Sequence, residues 1–197
     1  MKNYVIYLPE YTSSVELANR ALSTGLEHGW SLELYAGVNG LTCDWKDLKI
    51  CQQDAKCRDM MQLPGVQGCF LSHWNLWNLC VQQNCPVGIF EHDIEFIGPP
   101  PQQDFEHVLK LEGFLKKKPR PAGEWYEGAR AYLITPTAAQ KLIEWVNTNG
   151  ALPADVNIGM NIVNITLSEI LCVQQHALYG KSDKRANSFT WNLKGMT

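Results

Sequence analysis

Short apolar runs alternate along this chain with stretches in which apolar residues recur every three to four positions. The runs predict strands at Lys2 to Leu8, Ser31 to Ala36, Val87 to Phe90 and Ala131 to Ile134. The helical periods extend from Ser13 or Ser14 to Gly29, from Gly68 to Asn84, and from Thr135 to Asn149. Strands that alternate with helices indicate an α/β fold with a mostly parallel central sheet and flanking helices.

The remaining segments have weaker patterns. Residues 41 to 64 hold charges and three cysteines without a clear period, so we expect an irregular excursion with one short helix near Lys46 to Ala55. Residues 156 to 173 are mainly aliphatic, and the tail from His176 is polar. No stretch has the composition of a linker, which predicts a single domain over residues 1–197.

Composition and charge narrow the class of protein. With 45% apolar and 19% charged side chains, the 197 residues can bury a sizeable core. The net charge of −3 provides no positive field for a polyanion, so we expect no nucleic-acid partner.

The apolar runs also bear on location. They fall far short of the roughly 20 residues of a spanning helix, and the N-terminal one is too short for a signal peptide. We therefore expect a cytoplasmic protein without a transmembrane segment. The seven cysteines include no CxxC pair, which favours reduced thiols, although Cys51 and Cys57 could form a disulfide in an exported protein.

The strongest candidate for chemistry follows the apolar run Val87 to Phe90. In an extended chain Glu91, Asp93 and Glu95 point to one side and His92 to the other. Carboxylates about 7 Å apart at a strand end can share a hard divalent cation. The alternative is a solvated acidic turn.

Other chemistry has weaker support. The chain has neither a GxxxxGK[ST] loop nor a GxGxxG turn. Cys69 and His73 are four residues apart on a predicted helix, so a zinc site with Cys80, Cys85 and His92 is a minor alternative. A cysteine nucleophile paired with a histidine is another, but no local signature selects one.

The residues around the acidic step, Glu91-His92-Asp93, resemble a known family. The chain resembles glycosyltransferase family 25, whose pattern reads GCxxSHxxLW followed by a strand and EDD. The matching residues are Gly68 to His73, Leu76-Trp77 and the strand that ends in Phe90-Glu-His-Asp93. Looser agreement is found at Val5 to Leu8, Tyr35 to Gly40, Ala131 to Ile134, Asp155 after Pro153, and Gln175 with Ser188.

The resemblance implies a GT-A type, Rossmann-like glycosyltransferase domain. Its donor would be a UDP-sugar, commonly UDP-galactose or UDP-glucose, and its cofactor Mn²⁺ or Mg²⁺. The reaction would invert the anomeric centre. The acceptor would be a glycan or a lipid-linked sugar of the lipopolysaccharide type, which is compatible with peripheral membrane association.

The resemblance also implies roles for individual residues. Asp93, with Glu91 or Glu95, would hold the metal. Asp155 would deprotonate the acceptor hydroxyl, with Glu124 or Glu127 as alternatives. The donor contacts would be Leu8, Ala36, Ser72, His73 and Glu91, although a helix-packing role for His73 remains open.

Two departures from the family pattern leave a second hypothesis open. His92 replaces the middle Asp of EDD, and Ser14-Val15 stand where family members often carry two arginines. Lys or Arg residues of the C-terminal tail could replace those cations. The alternative function is a catalytically silent sugar- or nucleotide-binding domain, and a metal-dependent phosphate-ester hydrolase is a third.

Overall fold

The computed structural model describes residues 1–45, 48–112, 117–120, 123–126, 128–159 and 162–175, with the backbone alone at 117–120 and 123–126. Its helices are α1 Thr12–Glu27, α2 Ala55–Met60, α3 Pro64–Gln83, α4 Pro136–Asn149 and α5 Ala154–Gly159. Its strands are β1 Lys2–Tyr7, β2 Glu33–Ala36, β3 Val87–Glu91, β4 Ile94–Phe96, β5 Val108–Glu112, β6 Lys117–Arg120, β7 Gly123–Tyr126, β8 Ala131–Ile134 and β9 Ile165–Gln174.

Seven strands form one sheet in the order β2-β1-β3-β8-β5-β9-β4, and β6 and β7 form a separate antiparallel pair. β1 is parallel to β2 and β3, whereas β8 is inserted antiparallel between β3 and β5. β4 is antiparallel to β9, which is itself parallel to β5. The α/β class is confirmed, but the sheet is mixed rather than mostly parallel, because β8 and β4 run against their neighbours.

Both faces of the sheet are buried, and successive side chains alternate between them. Ile89 of β3 and Tyr132 of β8 pack with α3 and α4 in one core cluster. Phe90 and Leu133 belong to a second cluster with Ala18 of α1 on the opposite face. Helices therefore cover the sheet on both sides, and this double burial explains why β3 reads as a continuous apolar run.

The long strand β9 determines where the acidic turn lies. Its first part pairs with β5 at Ile165–Leu167, and its last part pairs with β4 at Cys172–Gln174. Only two residues separate β3 from β4. The C-terminal end of β9, which pairs with β4, therefore lies beside the turn between β3 and β4. On the α1 face, Phe96 of β4 lies with its ring centroid 5.0 Å from that of Phe90.

Several predicted elements are confirmed, one is corrected, and one strand in the middle of the sheet was not predicted. α4 begins as expected, because Thr135 caps it by accepting from the N–H of Ala138 and Pro136 occupies the first turn. The short helix lies at Ala55–Met60, capped by Asp54, rather than near Lys46, which is outside the described residues. The sequence patterns also missed β5, because two of its five residues are charged.

Two further expectations concern location and redox state. Among the described helices, none is long and apolar enough to cross a membrane. All seven cysteines lie in the described part of the chain and none forms a disulfide, including Cys51 and Cys57.

Candidate active site

The polar centre of the molecule lies at one edge of the sheet. The carboxyl ends of β1, β2, β3 and β5 meet there, and β8 begins there because it runs the opposite way. The backbone N–H of Glu91 donates to the carbonyl of Arg130 at 2.7 Å, which ties the end of β3 to the start of β8. Open α/β sheets bind their ligands at this edge.

The turn between β3 and β4 is fixed by the end of β9. The amide of Gln175 donates to the carbonyls of His92 and Ile94, and its backbone N–H donates to the carbonyl of Asp93. Asp93 is buried, with 6% exposed, and its Oδ2 accepts from the Gln174 amide at 2.6 Å. Its Oδ1 is also buried but has no hydrogen-bond partner among the described residues.

Glu91 and Asp93 have different electrostatic environments. Burial and the neighbouring Glu91 charge raise the pKa of Asp93. Burial also acts to raise the pKa of Glu91, but the contact with His73 and the charge of Arg130 outweigh it, so this pKa is lowered. The result is a pair of acids in which the pKa of Glu91 is lowered and that of Asp93 is raised.

A chain of hydrogen bonds leads to His73, whose imidazole lies beside Glu91. The indole N–H of Trp77 donates to the Tyr132 hydroxyl at 2.9 Å, and that hydroxyl lies 2.8 Å from Nδ1 of His73. Nε2 of His73 is buried and faces Glu91 Oε1 at 3.5 Å. The thiol of Cys69 lies 3.8 Å from the same oxygen. The packing alternative for His73 fits this environment, and its role as a donor contact remains a prediction.

The other predicted donor contacts lie at the same edge. Leu8 follows β1, and its N–H donates to the Ser14 hydroxyl at 2.9 Å. Ala36 ends β2 and is paired with Tyr7 of β1. Ser72 is buried, and its hydroxyl accepts from the N–H of Val38 and donates to a carbonyl of its own helix. The structure thus places these residues around the strand ends, while their contact with a donor stays a prediction.

Charged groups that the sequence patterns missed complete the site. Glu112, at the end of β5, accepts from the Nε of Arg130 at 2.9 Å and from its backbone N–H at 3.1 Å. The ammonium group of the buried Lys110 donates a hydrogen bond to the carbonyl of Gly128. The segment VLKLE could have indicated Lys110 and Glu112 as site residues, because charges inside an apolar strand require buried partners.

Asp155 lies in the first turn of α5, close to this charged group. Burial raises its pKa, and the charge of Lys110 and the N–H of Gly128 oppose that shift. The backbone of β7, which carries Glu124, runs beside α5. Glu127 lies outside the described residues. Asp155 is therefore the predicted base whose side chain the structure places near the acidic pair.

Two predictions about the acidic step are corrected. Glu95 does not join Glu91 and Asp93, because its carboxylate pairs with Arg20 of α1 at 3.2 Å. The two-residue alternation assumed an extended chain, whereas residues 92 and 93 form a turn.

The set of residues predicted for the alternative zinc site is also corrected. Cys80 and Cys85 lie at the far end of α3, where the Cys80 thiol donates to the carbonyls of Cys85 and Ile134. Cys69 and His73 do share one helix face, and the structure brings Glu91 to them instead.

Fold and site together define an α/β protein with an acidic pair, two further carboxylates and two cations at the strand-end edge of its sheet. The chain belongs to glycosyltransferase family 25 (LPS biosynthesis protein), whose model matches residues 1–118. It is also 27% identical over 154 residues to the lipooligosaccharide biosynthesis protein lic2B of Haemophilus influenzae. That alignment covers 61% of this chain and 58% of the relative.

These comparisons confirm the family resemblance that the sequence motifs indicated. The matched region contains Glu91, Asp93, Lys110 and Glu112, whereas Arg130 and Asp155 lie beyond it. The chain spans less than two thirds of the length of this relative.

Proposed function

We propose that this chain transfers a hexose, galactose or glucose, from a UDP-sugar to a glycan or lipopolysaccharide-type acceptor, with inversion and with Mn²⁺ or Mg²⁺. Family membership and the printed name of the lipooligosaccharide relative support the class of reaction. The observation that carries the proposal is the pair Glu91 and Asp93 at the end of β3, in the region that the family model matches.

The residues present fit a divalent cation. Hard cations prefer carboxylate oxygens, and Asp93 offers a buried Oδ1 without a hydrogen-bond partner among the described residues. Burial and the charge of Glu91 raise the pKa of Asp93, so a cation beside it would relieve both effects. Glu91 and Asp93 would hold the metal, which when bound neutralises the diphosphate of the departing UDP.

Arg130 supplies a second source of positive charge at this edge. Its guanidinium is held by Glu112 and interacts with the charges of Glu91 and Asp93. In the proposal this guanidinium contacts the donor diphosphate and takes the place of the missing arginine pair. An arginine suits that role because its fork of N–H groups can bind phosphate oxygens in pairs.

Asp155 is the proposed general base for the acceptor hydroxyl. Burial raises the pKa of this carboxyl, which strengthens it as a base relative to an ordinary aspartate. The charge of the nearby Lys110 opposes this shift and favours the ionised carboxylate. Inversion requires the acceptor oxygen to attack from the face opposite UDP, so the base and the acidic pair serve opposite sides of the sugar.

The experiment is a panel of UDP-sugars with Mn²⁺, in which UDP release is measured with and without lipooligosaccharide acceptors. We expect slow release from one UDP-hexose and faster release when the correct acceptor is added. Heat stabilisation by UDP-sugars without turnover would instead favour the silent binding domain. Indifference to every nucleotide sugar would overturn the proposal.

A further inference from the structure

The side chains of Cys69, His73 and Glu91 converge at the edge of the site. The nearest ligand atoms of the three residues lie within 4.8 Å of one another. Glu91 Oε1 is 3.5 Å from His73 Nε2 and 3.8 Å from Cys69 Sγ. We propose that these three residues form a binding site for a thiophilic divalent cation of the Zn²⁺ or Co²⁺ type.

The distances of Glu91 Oε1 from the other two ligand atoms suit tetrahedral coordination. Zinc bonds of about 2.0–2.2 Å to nitrogen and oxygen, and about 2.3 Å to sulfur, place neighbouring ligand atoms roughly 3.3–3.6 Å apart. The two measured distances lie within a few tenths of an ångström of that range. Three protein ligands leave the fourth position open, as in the catalytic class of zinc sites.

His73 is prepared for this role by its surroundings. Its ring is fully buried, and Nε2 has no hydrogen-bond partner among the described residues. The other nitrogen, Nδ1, lies 2.8 Å from the Tyr132 hydroxyl. With a cation on Nε2, Nδ1 carries the proton and donates it to Tyr132, whose oxygen has lone pairs for both His73 and Trp77. A fixed outer partner of this kind orients metal-binding histidines.

The charge around the cluster favours a cation. Besides Glu91 itself, the carboxylates Asp93 and Asp155 act electrostatically on the position of the Cys69 sulfur. When a divalent cation binds, the S–H proton would leave to solvent as the metal–sulfur bond forms. Glu91 is 27% exposed, so the cluster is open to solvent on that side.

Sulfur and imidazole ligands distinguish this site from the proposed Mn²⁺ or Mg²⁺ site. Thiolate selects Zn²⁺ and Co²⁺, whereas carboxylates alone suit Mg²⁺ and Mn²⁺. Glu91 belongs to both sets. Zn²⁺ therefore inhibits transfer by withdrawing Glu91 from Asp93, a consequence that rests on the proposed function, whereas the binding itself does not.

The test is titration of the reduced 197-residue chain with Co²⁺, followed by absorbance. We expect a thiolate-to-cobalt band and tetrahedral visible bands, both displaced by Zn²⁺. Cys69→Ser should remove the thiolate band and weaken Zn²⁺ binding by more than the roughly 10–100-fold that loss of an outer-shell partner costs. Glu91→Gln, at a half-buried position, should weaken Zn²⁺ binding while the thiolate band persists at high Co²⁺.

The matched control is Cys85→Ser. Cys85 is a half-buried thiol like Cys69 but lies past the other end of α3, roughly 20 Å away along the helix axis. This variant should keep the cobalt spectrum of the wild type. Absence of a thiolate band in the wild type, or a spectrum and Zn²⁺ affinity unchanged in Cys69→Ser, would overturn the inference.

Turnover separates this inference from the proposed function. In assays with Mn²⁺ and a UDP-sugar, Zn²⁺ should inhibit the wild type and Cys85→Ser but spare Cys69→Ser. A Cys69-dependent cobalt band in a chain that turns over no UDP-sugar would support the cation site and reject the proposed function. Turnover that Zn²⁺ inhibits equally in all three proteins would overturn the inference and leave the proposed function intact.

Discussion

The hydroxyl of Tyr132 on β8 lies 2.8 Å from Nδ1 of the buried His73 on α3, with their rings nearly parallel at 14°. The same hydroxyl accepts from the Trp77 N–H at 2.9 Å, and Nε2 of His73 faces Glu91 Oε1 at 3.5 Å. One hydroxyl in the core thus fixes the orientation of the histidine beside the acidic pair.

Tyr132→Phe should test this arrangement. The substitution leaves the Trp77 N–H and one His73 nitrogen buried without a partner, so we expect unfolding free energy to fall by about 1–3 kcal/mol. Urea unfolding monitored by circular dichroism measures the change. Tyr4→Phe, in the same core cluster but outside this chain of hydrogen bonds, serves as the control. Equal stability of wild type and Tyr132→Phe would refute the role of the hydroxyl.

Asp93→Asn should abolish metal-dependent binding of UDP-sugar and leave the fold intact. Because the folded-state pKa of Asp93 is raised, the wild type loses stability as pH rises above the ordinary aspartate value of 3.8 and through that raised pKa. Without a cation the variant should therefore be at least as stable as wild type at pH 7.

Thermal unfolding with and without Mn²⁺ measures both effects. Mn²⁺ should raise the melting temperature of the wild type and not that of Asp93→Asn. Asp59→Asn, an exposed position on α2, should behave as wild type. Unchanged metal and UDP affinity in Asp93→Asn would remove this residue from the metal site.

His92→Asp should be tolerated and should strengthen Mn²⁺ binding. The side chain is half-buried in the turn, and the turn is held through the backbone carbonyl of His92 by Gln175. The substitution restores the family's EDD triplet and adds negative charge beside Glu91 and Asp93. Calorimetric titration with Mn²⁺ and UDP release should show equal or higher affinity and activity. Loss of the folded state would instead identify His92 as a structural residue.

Asp155→Asn should lower transfer by about 10²-fold or more, within the range for lost acid–base catalysis. UDP affinity should barely change, because the base acts on the acceptor. In the wild type the rate should fall as pH is lowered through the raised Asp155 pKa, at higher pH than for an ordinary aspartate.

The measurement is kcat against pH with both substrates saturating, and Asp155→Asn should lose the acidic limb. Glu124→Gln and Glu127→Gln are the comparison variants. If either of these loses transfer while Asp155→Asn keeps it, the base has been assigned to the wrong residue.

Arg130→Gln should destabilise the fold and weaken UDP binding. The carboxylate of Glu112, which is 6% exposed, would lose the hydrogen bond and the positive charge of the Arg130 guanidinium. Breaking such a pair costs roughly 3 kcal/mol when it is buried. The double variant with Glu112→Gln should recover much of that stability but not the UDP affinity. Urea unfolding and UDP titration measure the two quantities, and full recovery of UDP affinity would exclude Arg130 from the diphosphate site.

Local sequence patterns were enough for half of the helices and strands that the structure describes. Helix α4 illustrates the reason, since its period, its cap Thr135 and its first-turn Pro136 all act within a few residues. The family motif from Gly68 to Asp93 likewise placed Cys69, His73, Glu91 and Asp93 in sequence before any geometry was known. Strand β5 was missed because its charged residues conceal an apolar pattern whose partners come from elsewhere in the chain.

The sequence by itself determined the strongly patterned elements such as α1, α3, α4 and β3, the family and the acidic step after β3, because periodicity, capping and motif spacing are properties of neighbouring residues. Tertiary structure alone decided that β8 lies antiparallel between β3 and β5, which brings Arg130 to Glu112 and Tyr132 to His73. It also decided that Glu95 pairs with Arg20, because the chain turns at residues 92 and 93. These partners are distant in sequence, and only the pairing of strands brings their charges and hydrogen bonds together.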